Sequence, residues 1–165
     1  MKDKIVKYVK EIIVFIVAIA ISANIISFYR SNDLNKEALS ISTVSLLNNT
    51  LYKVPKNKPI LIHFWATWCP TCKVEAQNIE RISKSFNVLT IAIKSGSDEE
   101  IREYLRSRDL TFKVVNDSDG QITQRYGVSV FPTTIIYDKE GSEVFSEVGY
   151  TTTIGLWLRM WIAGL

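Results

Sequence analysis

Cys69 and Cys72 are the only cysteines in the chain, separated by Pro70 and Thr71, and they fall where an apolar run ends and a helical pattern begins. Two thiols at this spacing, on the first turn of a helix, close a small disulfide ring without moving the backbone. The free N–H groups and positive dipole end of the helix stabilise a thiolate there. Cys69, at the very start, is the expected nucleophile. Cys72, one turn further in, is the expected resolving thiol that attacks a mixed disulfide and releases the product. Pro70 suits the first helical position, where its missing N–H costs nothing and its fixed φ stiffens the loop.

Two blander uses of the pair compete. A structural zinc site needs about four ligands, and two cysteines with a single histidine do not supply them; no metal is expected. A purely structural disulfide between Cys69 and Cys72 would close too short a loop to restrict the unfolded chain much. The redox-active disulfide is therefore the expected chemistry, with no further cofactor.

The elements that hold this pair follow from the apolar patterning. Ile60 to Trp65, ILIHFW, is a short apolar run bounded by Pro59 and the cysteine loop, as a central strand covered on both faces requires. Val74, Ile79, Ile82 and Phe86 give helical spacing from Pro70 to Ser85, and Val88 to Ile93 is the next strand. The cysteines thus lie past the carboxyl end of a strand in a βαβ unit, where open α/β sheets present reactive groups. Ser97 or Asp98, with Glu99 and Glu100, opens a capped helix to about Arg108. A short strand at 112–115, a loop at 117–120 and a short helix to Tyr126, stopped by Gly127, come next. Strands at 133–137 and 143–148 flank a turn at 138–141, and a helix rich in Leu, Ile and Trp spans 152–163. On that helix the two tryptophans, Trp157 and Trp161, are expected to pack on the sheet, with Leu156 and Met160 pointing elsewhere. Ahead of the core, 44–47 and 51–52 around Asn48-Asn49 read as a hairpin.

At 165 residues with 47% apolar content, the chain can build one domain and an appendage. The segment 12–29 carries no charge and, at 1.5 Å per residue, reaches about 27 Å, near the thickness of a hydrocarbon core. Lys2, Lys4, Lys7 and Lys10 precede it and only Arg30 follows closely, which places residues 1–11 in the cytoplasm and the rest outside. A single-pass anchor in the cytoplasmic membrane, a polar spacer at 30–42 and a catalytic domain at 43–165 facing the periplasm or cell exterior are expected. A cleaved signal peptide ending near Ala20-Ile21-Ser22 is the rival, disfavoured because the apolar run continues through Phe28. The net charge of +3 is mostly owed to the early lysines, so nothing argues for nucleic acid. Neither a repeat nor a glycine-rich phosphate loop is present.

FWATWCPTC, followed by Phe131-Pro132-Thr133 and the terminal hairpin, resembles the thioredoxin superfamily, and within it the membrane-anchored TlpA-like thiol–disulfide oxidoreductases. AIKSGSDEE at 92–100 and VGYTTTIGLWLRMWIAG at 148–164 are similar to the copper-sensitivity suppressor protein D group of protein disulfide oxidoreductases. The resemblance implies a thioredoxin-like α/β fold, a central mixed sheet flanked by helices, with an αβ insertion and an N-terminal transmembrane helix. It implies exported cysteine-containing proteins as substrates and a membrane thiol reductase as electron donor. Cytochrome c maturation thioredoxins share WCPTC but usually carry a GVYGxPE-type segment where this chain has 127–133, so apocytochrome reduction ranks second. A non-catalytic redox-responsive binding module and Cu(I) binding by the two thiolates are further alternatives.

The resemblance also assigns residues. Pro132 matches the family's cis-proline beside the cysteines, which would turn Val130 and Phe131 toward an extended substrate; an ordinary trans-proline on an edge strand is the alternative. Glu75, three residues after Cys72, shares its helix face and would carry a proton for it, unless it is a solvated early-turn glutamate. His63 departs from the resemblance, since thioredoxin has an acidic residue at this point of the strand; a histidine there would tune the thiolate or relay protons, unless it is a satisfied core histidine. Trp68, with Pro70 and Thr71, would form the contact surface around Cys69.

Overall fold

The computed structural model describes residues 8–15, 17–19, 21, 22, 25, 34 and 39–165. Tyr8 to Phe15 and residues 17–19, 21, 22 and 25 are helical and exposed. No described helix is long and apolar enough to cross a membrane. Lys2, Lys4 and Lys7, and positions 16, 20, 23, 24 and 26–29 of the expected span, lie outside the described residues.

The expected α/β order is observed. Strands β1 (Thr43–Ser45) and β2 (Leu51–Lys53) form a small antiparallel hairpin. Strand β3 (Ile60–Trp65) is followed by helix α1 (Pro70–Ser83), strand β4 (Asn87–Ile93), helix α2 (Asp98–Arg106) and strand β5 (Lys113–Asp117). Helix α3 (Gln121–Arg125), strands β6 (Thr133–Tyr137) and β7 (Glu143–Val148), and helix α4 (Thr153–Ala163) complete the chain. The main sheet has the order β5-β4-β3-β6-β7. Strands β3, β4 and β5 run parallel, while β6 and β7 are antiparallel to their neighbours. The α2–β5 pair adds a parallel edge strand beside β4.

Every residue of β3 is buried, as a central strand covered on two faces must be. Its alternation divides the core. Leu61 and Trp65 face α1 and α4 with Ile79, Ile82, Leu156 and Met160, while Ile60, Ile62 and Phe64 face the other layer with Tyr126, Val128 and Tyr137. Leu34 and Ile41, within the stretch expected as a spacer, are buried in that second layer, and the Leu39 N–H donates to Gly141 O at 3.0 Å. Leu34, Leu39 and Ile41 are therefore tied to the domain.

Helix α4 is rotated from the sequence expectation. Leu156 and Met160 are buried, whereas Trp157 and Trp161 are 48% and 50% exposed. The phase is set at the helix start. Asn78 of α1 donates to Thr151 O at 3.0 Å and accepts from Thr153 Oγ1 at 2.9 Å, and this clamp turns 156, 160 and 163 toward the sheet. Both residue pairs have i, i+4 spacing, so periodicity alone could not choose between them.

Candidate active site

The cysteine loop leaves the carboxyl end of β3 at the centre of the sheet. Cys69 caps α1: its backbone is extended, and its Sγ accepts the Cys72 N–H at 3.4 Å, with Pro70 opening the first turn. No acidic residue lies in that turn, so the positive end of the helix acts on Cys69 unopposed. Both thiols are free and both are buried, Cys69 5% and Cys72 2% exposed. The difference in access is smaller than the sequence suggested. Pro70, Thr71 and Trp68 are exposed around them, and these three form the outer surface of the loop.

A second loop closes over the first. The Phe131–Pro132 peptide is cis, as the resemblance implied, and the Cys69 thiol lies 3.6 Å from Phe131 O as its donor. Val130 and Phe131 are half-buried beside it. The Trp68 ring meets the Phe131 ring edge-on at 6.0 Å, and its indole N–H donates to Lys94 O at 3.1 Å. Ser95 braces the same loop, accepting the Thr67 N–H at 3.0 Å and donating to Ile93 O at 3.0 Å. Neither Lys94 nor Ser95 was marked by the sequence, since only the fold brings the end of β4 to this loop.

Beneath the thiols lies Glu75, fully buried. Its Oε1 accepts the Thr151 N–H at 2.9 Å, while Oε2 has no protein partner. Burial is the largest influence and pushes its pKa up; the Thr151 N–H opposes, the Glu147 charge adds, and the result is about 8. Burial likewise pushes the Cys72 thiol up, reinforced by its interaction with Cys69. Glu75 is thus a buried acid of near-neutral pKa one turn from a thiol that resists ionisation, which excludes the solvated alternative.

His63 shares the sheet face of Leu61 and Trp65. In register, Thr90, His63, Thr134 and Glu147 form one row across four strands. His63 Nδ1 lies 2.9 Å from Thr134 Oγ1, and burial lowers its pKa to about 3. It is neutral through the physiological range, so the expected tuning of the thiols by a histidine charge is not available; His63 is a hydrogen-bonded core residue. The row ends at Glu147, which pairs with Arg159 of α4 at 2.6 Å. Tyr104 packs on Trp65 with centroids 5.4 Å apart, and its buried hydroxyl has no hydrogen-bond partner. Among the described residues no group of three or more His, Cys, Asp or Glu side chains is arranged to hold a metal.

A cis-proline loop, a dithiol capping a helix at the end of a central strand, and a mixed sheet define the class: a thioredoxin-like thiol–disulfide oxidoreductase. Comparison with known proteins agrees. The chain belongs to the AhpC/TSA family, whose model matches residues 33–142. It is 29% identical to a thioredoxin-like protein of Haemophilus influenzae over 163 residues, 97% of each chain. Over 101 residues it is 34% identical to the thiol–disulfide oxidoreductase ResA of Bacillus subtilis, covering 59% of this chain and 56% of that one. Among solved structures, a thioredoxin lipoprotein of Streptococcus pneumoniae superposes with a TM-score of 0.65 at 23% identity, covering 73% of this chain and 97% of that one. A putative thioredoxin of Neisseria meningitidis gives a TM-score of 0.61 at 26% identity, covering 73% and 85%.

Proposed function

We propose that this oxidoreductase is tethered to the cytoplasmic membrane by residues 12–29 and reduces disulfides in exported proteins. The observation that carries the proposal is the stacking of three groups: Cys69 at the helix cap, Cys72 behind it and the buried Glu75 below. In the reaction, the Cys69 thiolate attacks a substrate disulfide, forming a mixed disulfide and expelling one substrate thiolate, which takes up a proton. Cys72 gives its proton to the Glu75 carboxylate and attacks Cys69 Sγ, expelling the second substrate thiolate. The substrate gains two electrons and the protein is left with the Cys69–Cys72 disulfide. With a pKa of about 8, roughly a tenth of Glu75 is ionised at pH 7, enough to accept and return the proton within a catalytic cycle.

Val130 and Phe131, beside the sulfur, offer a backbone edge for an extended substrate segment, with Trp68, Pro70 and Thr71 as the surrounding contact surface. A membrane thiol reductase would restore the dithiol, since an oxidising compartment supplies no electrons of its own. The lysine bias around the apolar segment supports the outward orientation. The reductive direction is supported by the resemblance to the TlpA-like branch and by Glu75 at its expected place.

The Cys72→Ser variant of the full chain, reduced and mixed with a disulfide-bonded exported protein, tests the exchange. Adducts through Cys69, released by a small thiol, are expected. A binding module would form none, and absence of adducts with Cys69 intact refutes the mechanism.

A further inference from the structure

Helix α4 presents to solvent a face that soluble domains seldom expose. Ile154 and Leu165 are 79% and 75% exposed, and Trp157, Leu158, Trp161 and Ile162 lie between them. An apolar face of this length, with two indoles, marks an interaction surface. What it meets follows from its position.

The helix descends from the Glu75 level to the base of the domain, the end opposite Cys69. The Gly164 Cα would place a Cβ 3.7 Å from the ring of Pro59, immediately before β3, and Lys139 Nζ donates to Leu165 O at 3.2 Å. Lys58 and Lys84 line a shallow hollow there with Pro59 and Phe86, and the Phe86 ring meets Trp157 at 6.3 Å. Lysines therefore rim the lower end of the apolar face. Their acidic neighbours are few: Glu80 pairs with Lys84 at 3.5 Å, Asp138 accepts the N–H groups of its own turn, and Glu140 is exposed.

The same end receives the incoming chain. Leu39 is bonded to Gly141 in the β6–β7 turn, and Leu34 is buried. Leu34 follows Tyr29 by five Cα-to-Cα steps, a reach of at most about 18 Å. If 12–29 spans a bilayer, Leu34 stays within that reach of its surface and the turn that holds Leu39, ten residues after Tyr29, within about 36 Å, which keeps the base of the domain beside the membrane.

We infer that the outer face of α4 lies in the interfacial layer of an anionic phospholipid bilayer, its indoles at headgroup depth and Lys58, Lys84 and Lys139 on phosphates, with Cys69 held on the far side toward soluble substrates. Indoles at the interface and lysines on anionic headgroups are each favourable. The inference rests on the tethered reading for its geometry.

The full chain in vesicles of phosphatidylcholine and phosphatidylglycerol, with brominated phosphatidylcholine as quencher, tests it. The chain's four tryptophans are at 65, 68, 157 and 161, none of them in the expected span. Bromolipid is expected to quench the wild type and the Trp68→Phe variant, and the quenching to be lost in Trp157→Phe/Trp161→Phe, which keeps an apolar ring at each site. Lys58→Gln/Lys84→Gln/Lys139→Gln should weaken quenching in anionic but not in pure phosphatidylcholine vesicles. Quenching that survives the double tryptophan variant, or is absent from the wild type, overturns the inference. So does a detergent-soluble dimer whose Trp157 and Trp161 are shielded from bromolipid, since a second copy would then cover the face. Resistance to alkaline carbonate reports the anchor separately: a resistant, unquenched chain sinks only the docking, and an extracted, quenched one sinks only the anchor.

Discussion

Replacing Glu75 by Gln removes a buried acid while leaving the Oε1 acceptor that faces the Thr151 N–H. Glu75 has a folded pKa of about 8 against 4.5 in the unfolded chain. The folded state therefore binds the extra proton between these values, and the contribution to stability is fully present below pH 4.5 and lost as pH rises toward 8. Each tenfold difference in proton affinity between the folded and unfolded chain is worth about 1.4 kcal/mol. Between pH 6.5 and 8.0, allowing for the levelling near the folded pKa, the wild type loses on the order of 1.5 to 2 kcal/mol through this group. His63 works in the opposite sense: its pKa falls from 6.5 to about 3 on folding, so it favours the folded state increasingly as pH rises from 3 to 6.5. Both proteins carry His63, and its effect cancels in their difference. Cys72, pushed up by burial, enters only at higher pH. Urea unfolding of the reduced full chain at pH 6.5 and pH 8.0 is the assay. The stability of Glu75→Gln relative to wild type should rise by roughly 1.5 to 2 kcal/mol between the two. A difference independent of pH refutes the burial argument. In the exchange reaction the same variant should resolve mixed disulfides more slowly, because Gln cannot take the Cys72 proton.

Two further substitutions test the supports of the site. Asn78→Ala removes the bonds to Tyr150, Thr151 and Thr153 and should cost about 2 to 3 kcal/mol in urea unfolding; a loss below about 0.5 kcal/mol would mean that α4 is held in phase by its apolar contacts alone. Thr134→Val removes the partner of His63 Nδ1, leaves a buried ring nitrogen unpaired and should cost about 1 to 3 kcal/mol, with exchange rates unchanged if His63 is structural. A tenfold change in rate with little loss of stability would return His63 to the catalytic machinery.

What the sequence disclosed and what it concealed divide along physical lines. Strand β3 was legible because six residues buried on both faces must be nearly all apolar, and α1 because its capping cysteine and Pro70 mark its start. Glu75 was marked by the resemblance to the TlpA-like pattern, and local spacing put it one turn after Cys72 on the same helix face. Its partner was not, because Thr151 is 76 residues away and only the docking of α4 brings the two together. Ser95 and Lys94 were hidden for the same reason, as was the Glu147–Arg159 pair that ends the polar row. The phase of α4 was misjudged because two apolar faces of equal periodicity compete on it, and the clamp that decides between them is a polar side chain on another helix. Leu34 and Ile41 looked like spacer residues because isolated apolar side chains in a polar stretch carry no periodicity.

Reductive dithiol exchange at Cys69 and Cys72 is tested most directly by a thiol count across glutathione redox buffers, with the full chain brought to equilibrium and both cysteines quantified by mass. The two thiols are expected to disappear together in one two-electron step, as an intramolecular disulfide, with a potential near the ~−270 mV of thioredoxin. Independent glutathionylation of the two thiols would contradict the dithiol chemistry, and a single transition near ~−120 mV would contradict the reductive direction.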